Sequence, residues 1–390
     1  MELSSRLWRT LLLGALVVAV AVGLVACGGG DDSTGSSSTS SGEATSETSE
    51  TSAGVDQAKV DELLDAAFAP GKWEGPKEPA PAPEGKSIVF IPTFAAAEGE
   101  VILQEGVETA AKALNWDLTV IDGKGTPQGY SAAIGQAITQ KADGVIFGAI
   151  DPNLVLNQMK QLKAAGIPVV VQSNVSEPTE ELWVANVGYR PQLEAEYLAA
   201  FLADESQGEA KVLLVEDSEF GIVAARAEAF KPALEELCSA CEINAETEFS
   251  VTELETKLGP KIGAALQANP DVNYIYAPYD AAVPPMVAAI KQAGLQDEVK
   301  IISYGGFKQV TDYLRNQEIT VATVANATQW QGWQAYDALI RHWDDLEINE
   351  EVTERDPIKL LTWENPPPPG QYFEGDADYM AEYEKLWGLK

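Results

Sequence analysis

From Ser87 onward the chain alternates between two kinds of stretch. Short runs dominated by Val, Ile, Leu and Phe fall at 88–91, 118–121, 144–147, 167–171, 182–184, 211–215, 272–276, 300–302 and 320–324. Most of the gaps hold stretches whose apolar residues recur every three to four positions: 101–114, 130–141, 153–165, 191–204, 221–237, 255–268, 281–293, 307–316 and 328–345. The short runs fit strands buried on both faces, and the three-to-four spacing fits amphipathic helices. Strands alternating with helices predict βαβ units and parallel sheets covered on both sides, an α/β fold. So many units exceed one comfortable core, because cores stop growing near about 250–300 residues, and two lobes are expected.

Upstream of Ser87 the pattern is different. Arg6 and Arg9 precede an apolar run from Leu11 to Val25, which closes in Leu24-Val25-Ala26-Cys27 before Gly28-Gly29-Gly30-Asp31-Asp32. A positive end, a short apolar core and small residues make a secretory signal over 1–26, and the run is shorter than the roughly 20 residues that span a bilayer. Its last four residues resemble the lipobox of bacterial lipoproteins, which implies acylation of Cys27, attachment to the cell membrane and an extracytoplasmic location. Residues 27–54 are almost entirely Gly, Ser, Thr, Glu and Asp and read as a flexible tether. Within 55–85, Val60, Leu63, Leu64 and Phe68 mark a short amphipathic helix, and Pro76, Pro79, Pro81 and Pro83 mark an extended stalk. The other end, 365–390, opens with the break Pro366-Pro367-Pro368-Pro369. It then carries Tyr372, Phe373, Tyr379, Tyr383 and Trp387, enough aromatic surface to pack back on a lobe.

The whole chain carries 26 basic and 60 acidic residues, a net charge of −34. Removing 1–26 leaves 24 basic and 59 acidic residues, a net of −35. Such a surface repels phosphate backbones, so nucleic acid is not an expected partner, and the charge serves solubility. Of the three cysteines, Cys238 and Cys241 stand at the end of a helical pattern. In an oxidising compartment that spacing reads as a short-loop disulfide, with free thiols or a redox pair as the other readings. A redox pair would open a helix, whereas this one closes it. A zinc site would need two more ligands, and His342 is the one histidine. No metal or cofactor is expected.

The succession of elements over roughly 86–364 resembles the type I periplasmic sugar-binding proteins, the ribose-binding-like receptors of ABC importers. The segments that carry the likeness are 87–93 (SIVFIPT) with Gly106 and Ala110, 141–146 (KADGVI), 165–170 (AGIPVV), 224–230 (AARAEAF), 269–272 (NPDV), 277–281 (APYDA) and 329–335. The resemblance implies two Rossmann-like lobes joined by three hinge crossovers and closing on a ligand in the cleft. Lobe one would comprise 86–186 plus 327–357, and lobe two 187–326 plus 358–364. In parallel sheets the loops at strand C-terminal ends ring such a crevice. The ligand-binding candidates there are Phe94, Asp151, Ser173, Asn174, Phe220, Tyr279, Asp280 and Asn326, while Arg226 matches the family's ligand-binding arginine. The sequence departs from the family pattern in several places. The paired aromatics after the first strand fall near Gly99 and Glu100, with Phe94 as a substitute. Asp-Arg after the fourth strand is Ser173-Asn174, Asn before the aspartate is Tyr279, and Gly-Phe-Asp becomes Tyr304-Gly305-Gly306. Losing two carboxylates removes hydroxyl acceptors and implies a flatter or less hydroxylated ligand.

Catalysis finds little support. There is no Gly-x-Ser-x-Gly elbow, and His342 lies inside a helical pattern. Gly123 to Gly129 resembles a dinucleotide fingerprint only superficially, because Gln128 replaces its third glycine and Pro127 interrupts it. A lac-repressor-type regulator would need a basic helix-turn-helix where this chain has its leader. The expected function is non-enzymatic: capture of a sugar or sugar-like polar molecule and its delivery to an ABC permease. The alternative is a receptor for a quorum signal or nutrient, coupled to a membrane sensor.

Overall fold

The structure is a computed structural model that describes residues 54–73, 75–174, 182–188, 190–348 and 356–389. Residues 1–53, which hold the expected signal, Cys27 and most of the expected tether, lie outside the described residues.

Two sheets organise the chain. The first runs β2-β1-β3-β4-β5 and is wholly parallel: β1 Ser87–Pro92, β2 Asp117–Val120, β3 Gly144–Gly148, β4 Val169–Gln172 and β5 Ala185–Val187. The second has the order β11-β10-β9-β8-β6-β7, with β6 Lys211–Glu216, β7 Glu242–Glu248, β8 Tyr274–Tyr276, β9 Lys300–Gly305, β10 Thr320–Asn326 and β11 Ile358–Leu361. Only β11 is antiparallel to its neighbour. The central strands are buried on both faces, as continuous apolar runs such as Val145-Ile146-Phe147 require.

Eleven α-helices are described: α1 Gln57–Phe68, α2 Glu98–Leu114, α3 Pro127–Gln140, α4 Leu156–Ala164, α5 Pro191–Glu205, α6 Gly221–Leu237, α7 Leu258–Ala268, α8 Val283–Ala293, α9 Lys308–Arg315, α10 Thr328–Trp343 and α11 Tyr379–Leu386. Local chemistry sets several ends. Thr126 caps α3 through the Gly129 N–H with Pro127 in its first turn, while α2 ends at Asn115 in the left-handed region.

The chain passes between the sheets three times. After β5 it enters α5, which packs on α6. At the end of β10 it returns as α10, which packs on α2 and lies over β4 and β5. It then goes back to pair β11 with β10. The crossing of α2 with α10 is unusually close. A methyl group on Gly106 would come within 2.1 Å of the Gln329 carbonyl oxygen, and one on Gly332 within 2.5 Å of Gly106 and Val107 backbone atoms.

Both terminal segments are built into this body. Helix α1 seats Val60, Leu64 and Ala67 in the second lobe's core, Val55 bridges to Cys238, and Lys59 pairs with Glu236. Cys238 is bonded to Cys241, with a Cα–Cα distance of 5.4 Å. The proline-rich stretch is extended, as its prolines demand, but it is not a free stalk. Trp73 stacks on Trp330, Ala80 is fully buried, and the Ala80 and Ala82 N–H groups donate to the carbonyls of Leu386 and Trp387. Phe373, Tyr379, Tyr383 and Trp387 of the tail complete the same cluster against Trp333. The Asp376 carboxylate ties three pieces together, accepting from Gly71 N at 2.6 Å and pairing with Lys359 of β11 at 2.9 Å.

Candidate ligand-binding cleft

The C-terminal ends of both parallel sheets supply the loops that surround the crossovers. Where the chain passes between lobes, a buried polar network forms the floor. Glu194, in the first turn of α5, is fully buried. Its Oε1 accepts from Arg190 N at 2.9 Å and Asn326 Nδ2 at 3.0 Å, and its Oε2 takes Arg226 Nε at 2.5 Å. Arg226 also donates to Asn326 Oδ1 at 3.3 Å and lies over the Tyr304 ring at 4.9 Å. Arg190 continues the chain of bonds to the Asp356 carbonyl, Gln331 donates to Asp356 Oδ2, and Gln172 donates to Gln331. Each passage between the lobes contributes a member: Arg190, Asn326 and Asp356. A charge as deeply buried as Glu194 is tolerable only with this many donors.

The lobe-one wall is made by the ends of β1, β3 and β4. Thr93 is buried and donates to the Gly148 carbonyl at 2.6 Å. Phe94 is 48% exposed. Its loop is held by Asp122, which accepts from Ala95 N and Lys124 N. Asp151 caps the short turn that follows β3 by accepting from Asn153 N at 2.9 Å. Ala149 and Ser173 end β3 and β4 with φ of 49° and 55°, left-handed conformations that cost non-glycine residues on the order of 1 kcal/mol and gather at functional loops. Asn174 exchanges hydrogen bonds with Asn186.

The lobe-two wall carries Asp217, fully buried, which accepts the Tyr279 hydroxyl at 2.7 Å and Glu219 N at 3.2 Å. Desolvation pushes its carboxyl above the usual range. Phe220 caps the start of α6 and is half-buried. Asp280 sits differently from its sequence-level role. Its Oδ1 accepts the hydroxyls of Ser303 at 2.6 Å and Thr323 at 2.9 Å, and its Oδ2 accepts Phe307 N at 2.7 Å. It therefore ties its loop to β9 and β10 and leaves little acceptor capacity for a ligand; burial raises its pKa to about 7. The walls meet at one edge, where a side chain begun at Gly99 would lie 3.6 Å from the Phe307 ring.

The structure thus gathers Phe94, Asp151, Ser173 and Asn174 at the strand ends of one lobe, and Phe220, Tyr279 and Asp280 at those of the other, with Arg226 and Asn326 in the floor. Glu194, Arg190, Gln331, Asp356 and Glu100 were not singled out from sequence. Among 60 acidic residues, a buried Glu194 has no local signature apart from its place just after Pro191, at the start of a helix. Among the described residues no group of His, Cys, Asp and Glu could hold a metal ion, and no helix is long and apolar enough to cross a membrane.

Residues 88–347 match the family described as periplasmic binding protein domain. Solved structures share the architecture at low identity. The arabinose ABC transporter component from Shewanella sp. ANA-3, bound to L-arabinofuranose, is 19% identical with a TM-score of 0.64, over 78% of this chain and 96% of that one. A glucose-galactose binding protein from Geobacillus stearothermophilus is 19% identical with a TM-score of 0.64, over 73% and 100%. A solute-binding protein from Actinobacillus succinogenes 130z with bound D-allose is 20% identical with a TM-score of 0.63, over 72% and 98%.

Proposed function

Since the chain belongs to the periplasmic binding protein family, we propose that it captures a sugar or sugar-like polar molecule between its lobes and presents it to an ABC permease. The observation that carries this reading is the polar floor running through all three passages between the lobes, flanked by hydroxyl, amide and carboxyl groups at the strand ends of both sheets. Bonds offered from both lobes favour the state in which the lobes are closed together, so binding and shape are linked. Exposed Phe94 offers a flat apolar face to a sugar ring, and Arg226 and Asn326 offer polar groups from the floor. Bound sugars in the Shewanella and Actinobacillus proteins support the ligand class. Function is binding, with no bond made or broken.

The anchor belongs to the same reading: acylated Cys27 holds an extracytoplasmic protein at the membrane where its permease sits. Residues 28–390 titrated with pentoses, hexoses, inositols and alditols should show a saturable rise in melting temperature with at least one of them. No response to any member would overturn the proposal. Full-length Cys27→Ser should appear in the medium with ligand affinity intact; retention at the membrane would remove the anchor.

A further inference from the structure

Beyond the three passages that join the lobes, each terminal segment makes a crossing of its own. Helix α1 is seated in the core of the second lobe through Val60, Leu64 and Ala67, yet a few residues on Trp73 stacks on Trp330 and Ala80 is buried in the core of the first. The tail crosses in the same direction. Arg315 of α9 donates to the Pro367 carbonyl, and the Lys308 ammonium lies 3.8 Å from the centre of the Tyr372 ring, which holds the start of the tail on the second lobe. Its end lies on the first: Tyr379 stacks on Trp330 at 4.8 Å and Trp387 on Trp333 at 5.2 Å.

The place where these crossings meet is closely packed. Phe373 belongs to one apolar cluster that includes Leu314 and Leu361 of the second lobe together with Trp330 and Trp333 of α10. Gly375 has a φ of 82°, and a methyl group there would come within 2.9 Å of the Trp330 ring and 3.1 Å of the Pro357 ring. The tail therefore lies against two of the three passages. Asp376 then fastens both terminal crossings to β11, accepting from Gly71 N at 2.6 Å and pairing with Lys359 at 2.9 Å. The family match runs from 88 to 347, so both crossings lie outside it.

We propose that Asp376 is a positioning residue for the cleft: it clamps the two terminal crossings together beside the hinge, and the clamp limits how far the lobes swing apart. The lobes already meet at one edge, where a side chain begun at Gly99 would lie 3.6 Å from the Phe307 ring, so the travel left to them is outward. Any rotation of one lobe against the other displaces α9 and β11 relative to α10, and the tail is fixed to all three. Wide opening must break the Asp376 bonds and disturb the packing of Phe373, a cost that a hinge of three passages alone does not carry. The ligand-free protein is thereby held nearer the arrangement that a ligand selects. The inference goes beyond the sugar-binding reading.

The test places spin labels at Asn153→Cys and Glu255→Cys, exposed positions in the loops after β3 and β7, in the full-length Cys27→Ser protein, where the Cys238–Cys241 bond leaves no other thiol to label. The distance between the labels is read by pulsed electron spin resonance with no sugar present. Asp376→Ala should lengthen the mean distance by more than about 2 Å and broaden its distribution. Asp376→Asn keeps an acceptor for Gly71 and loses the ion pair with Lys359, and should fall between the two. Tyr372→Ala, which frees the tail where it lies on the second lobe, should lengthen the distance as well. An Asp376→Ala variant with the circular dichroism of the parent and the same or a shorter distance overturns the proposal and marks the terminal segments as packing alone. If Asp376→Ala does not fold, the distance in Tyr372→Ala decides in the same way. A parent that binds no sugar leaves this result standing, and a clamp that fails leaves the ligand reading untouched.

Discussion

At the scale of single residues, burial makes several carboxyls of the site weaker acids than usual. Burial raises Glu100 to about 8 and Asp280 and Asp356 to about 7. In an unfolded chain the same groups ionise near pH 4. Between about pH 4 and 8 the folded state therefore binds more protons than the unfolded state, and stability falls as pH rises through that window. Self-repulsion from a net charge of −34 acts in the same direction. Melting temperature should be higher at pH 5.5 than at pH 8, and Asp280→Asn should flatten the slope; a melting temperature that rises toward pH 8 would contradict these burials. Sequence placed Asp280 in the cleft from its neighbours Tyr279 and Ala281, yet it could not show that Ser303 and Thr323, from two other strands, occupy that carboxylate. Partners so distant along the chain leave no local mark.

Elements were easier to read where burial is two-sided. The runs at 88–91, 144–147 and 211–215 became β1, β3 and β6 nearly unchanged, because continuous apolar sequence has few other uses. Strand β7 was missed. Its sequence, EINAETE, alternates half-buried Ile243, Ala245 and Thr247 with exposed Glu242, Asn244, Glu246 and Glu248, as an edge strand does, and the polar residues hide the pattern in so acidic a chain. The run at 182–184 proved to lie just before β5, whose Asn186 interrupts the apolar signal. Gly106 and Gly332 show what periodicity cannot reveal: two glycines 226 positions apart that let the α2 and α10 backbones touch. Gly106→Ala should destabilise the protein by about 1–3 kcal/mol through overpacking. Urea denaturation would then show a lower midpoint at unchanged slope, and an unchanged midpoint would mean that the helices are not in contact.

On the scale of the whole molecule, the family fold explains only part of the chain. The periplasmic-binding-protein match covers 88–347, whereas the packed body begins before Val60 and ends near Trp387. Composition foretold an aromatic tail that packs back, but gave no sign that the prolines before Ser87 lie beneath it. Trp387 stacks on Trp333 and donates to Asp337 at 2.9 Å. Trp387→Ala should cost about 3–5 kcal/mol, measurable by denaturant titration, while a loss below about 1 kcal/mol would show the tail to be a loose appendage. The meeting of the two ends also fixes an order in time. Gly71 and Asp376 are separated by 305 positions along the chain, and such distant pairings are among the slowest to form. A chain that leaves the ribosome or an export channel N-terminus first carries Trp73 and its prolines through almost the whole of synthesis before the residues that cover them exist. The segment made early settles among the last, and until then the newborn protein shows its surroundings an aromatic surface that the finished one conceals.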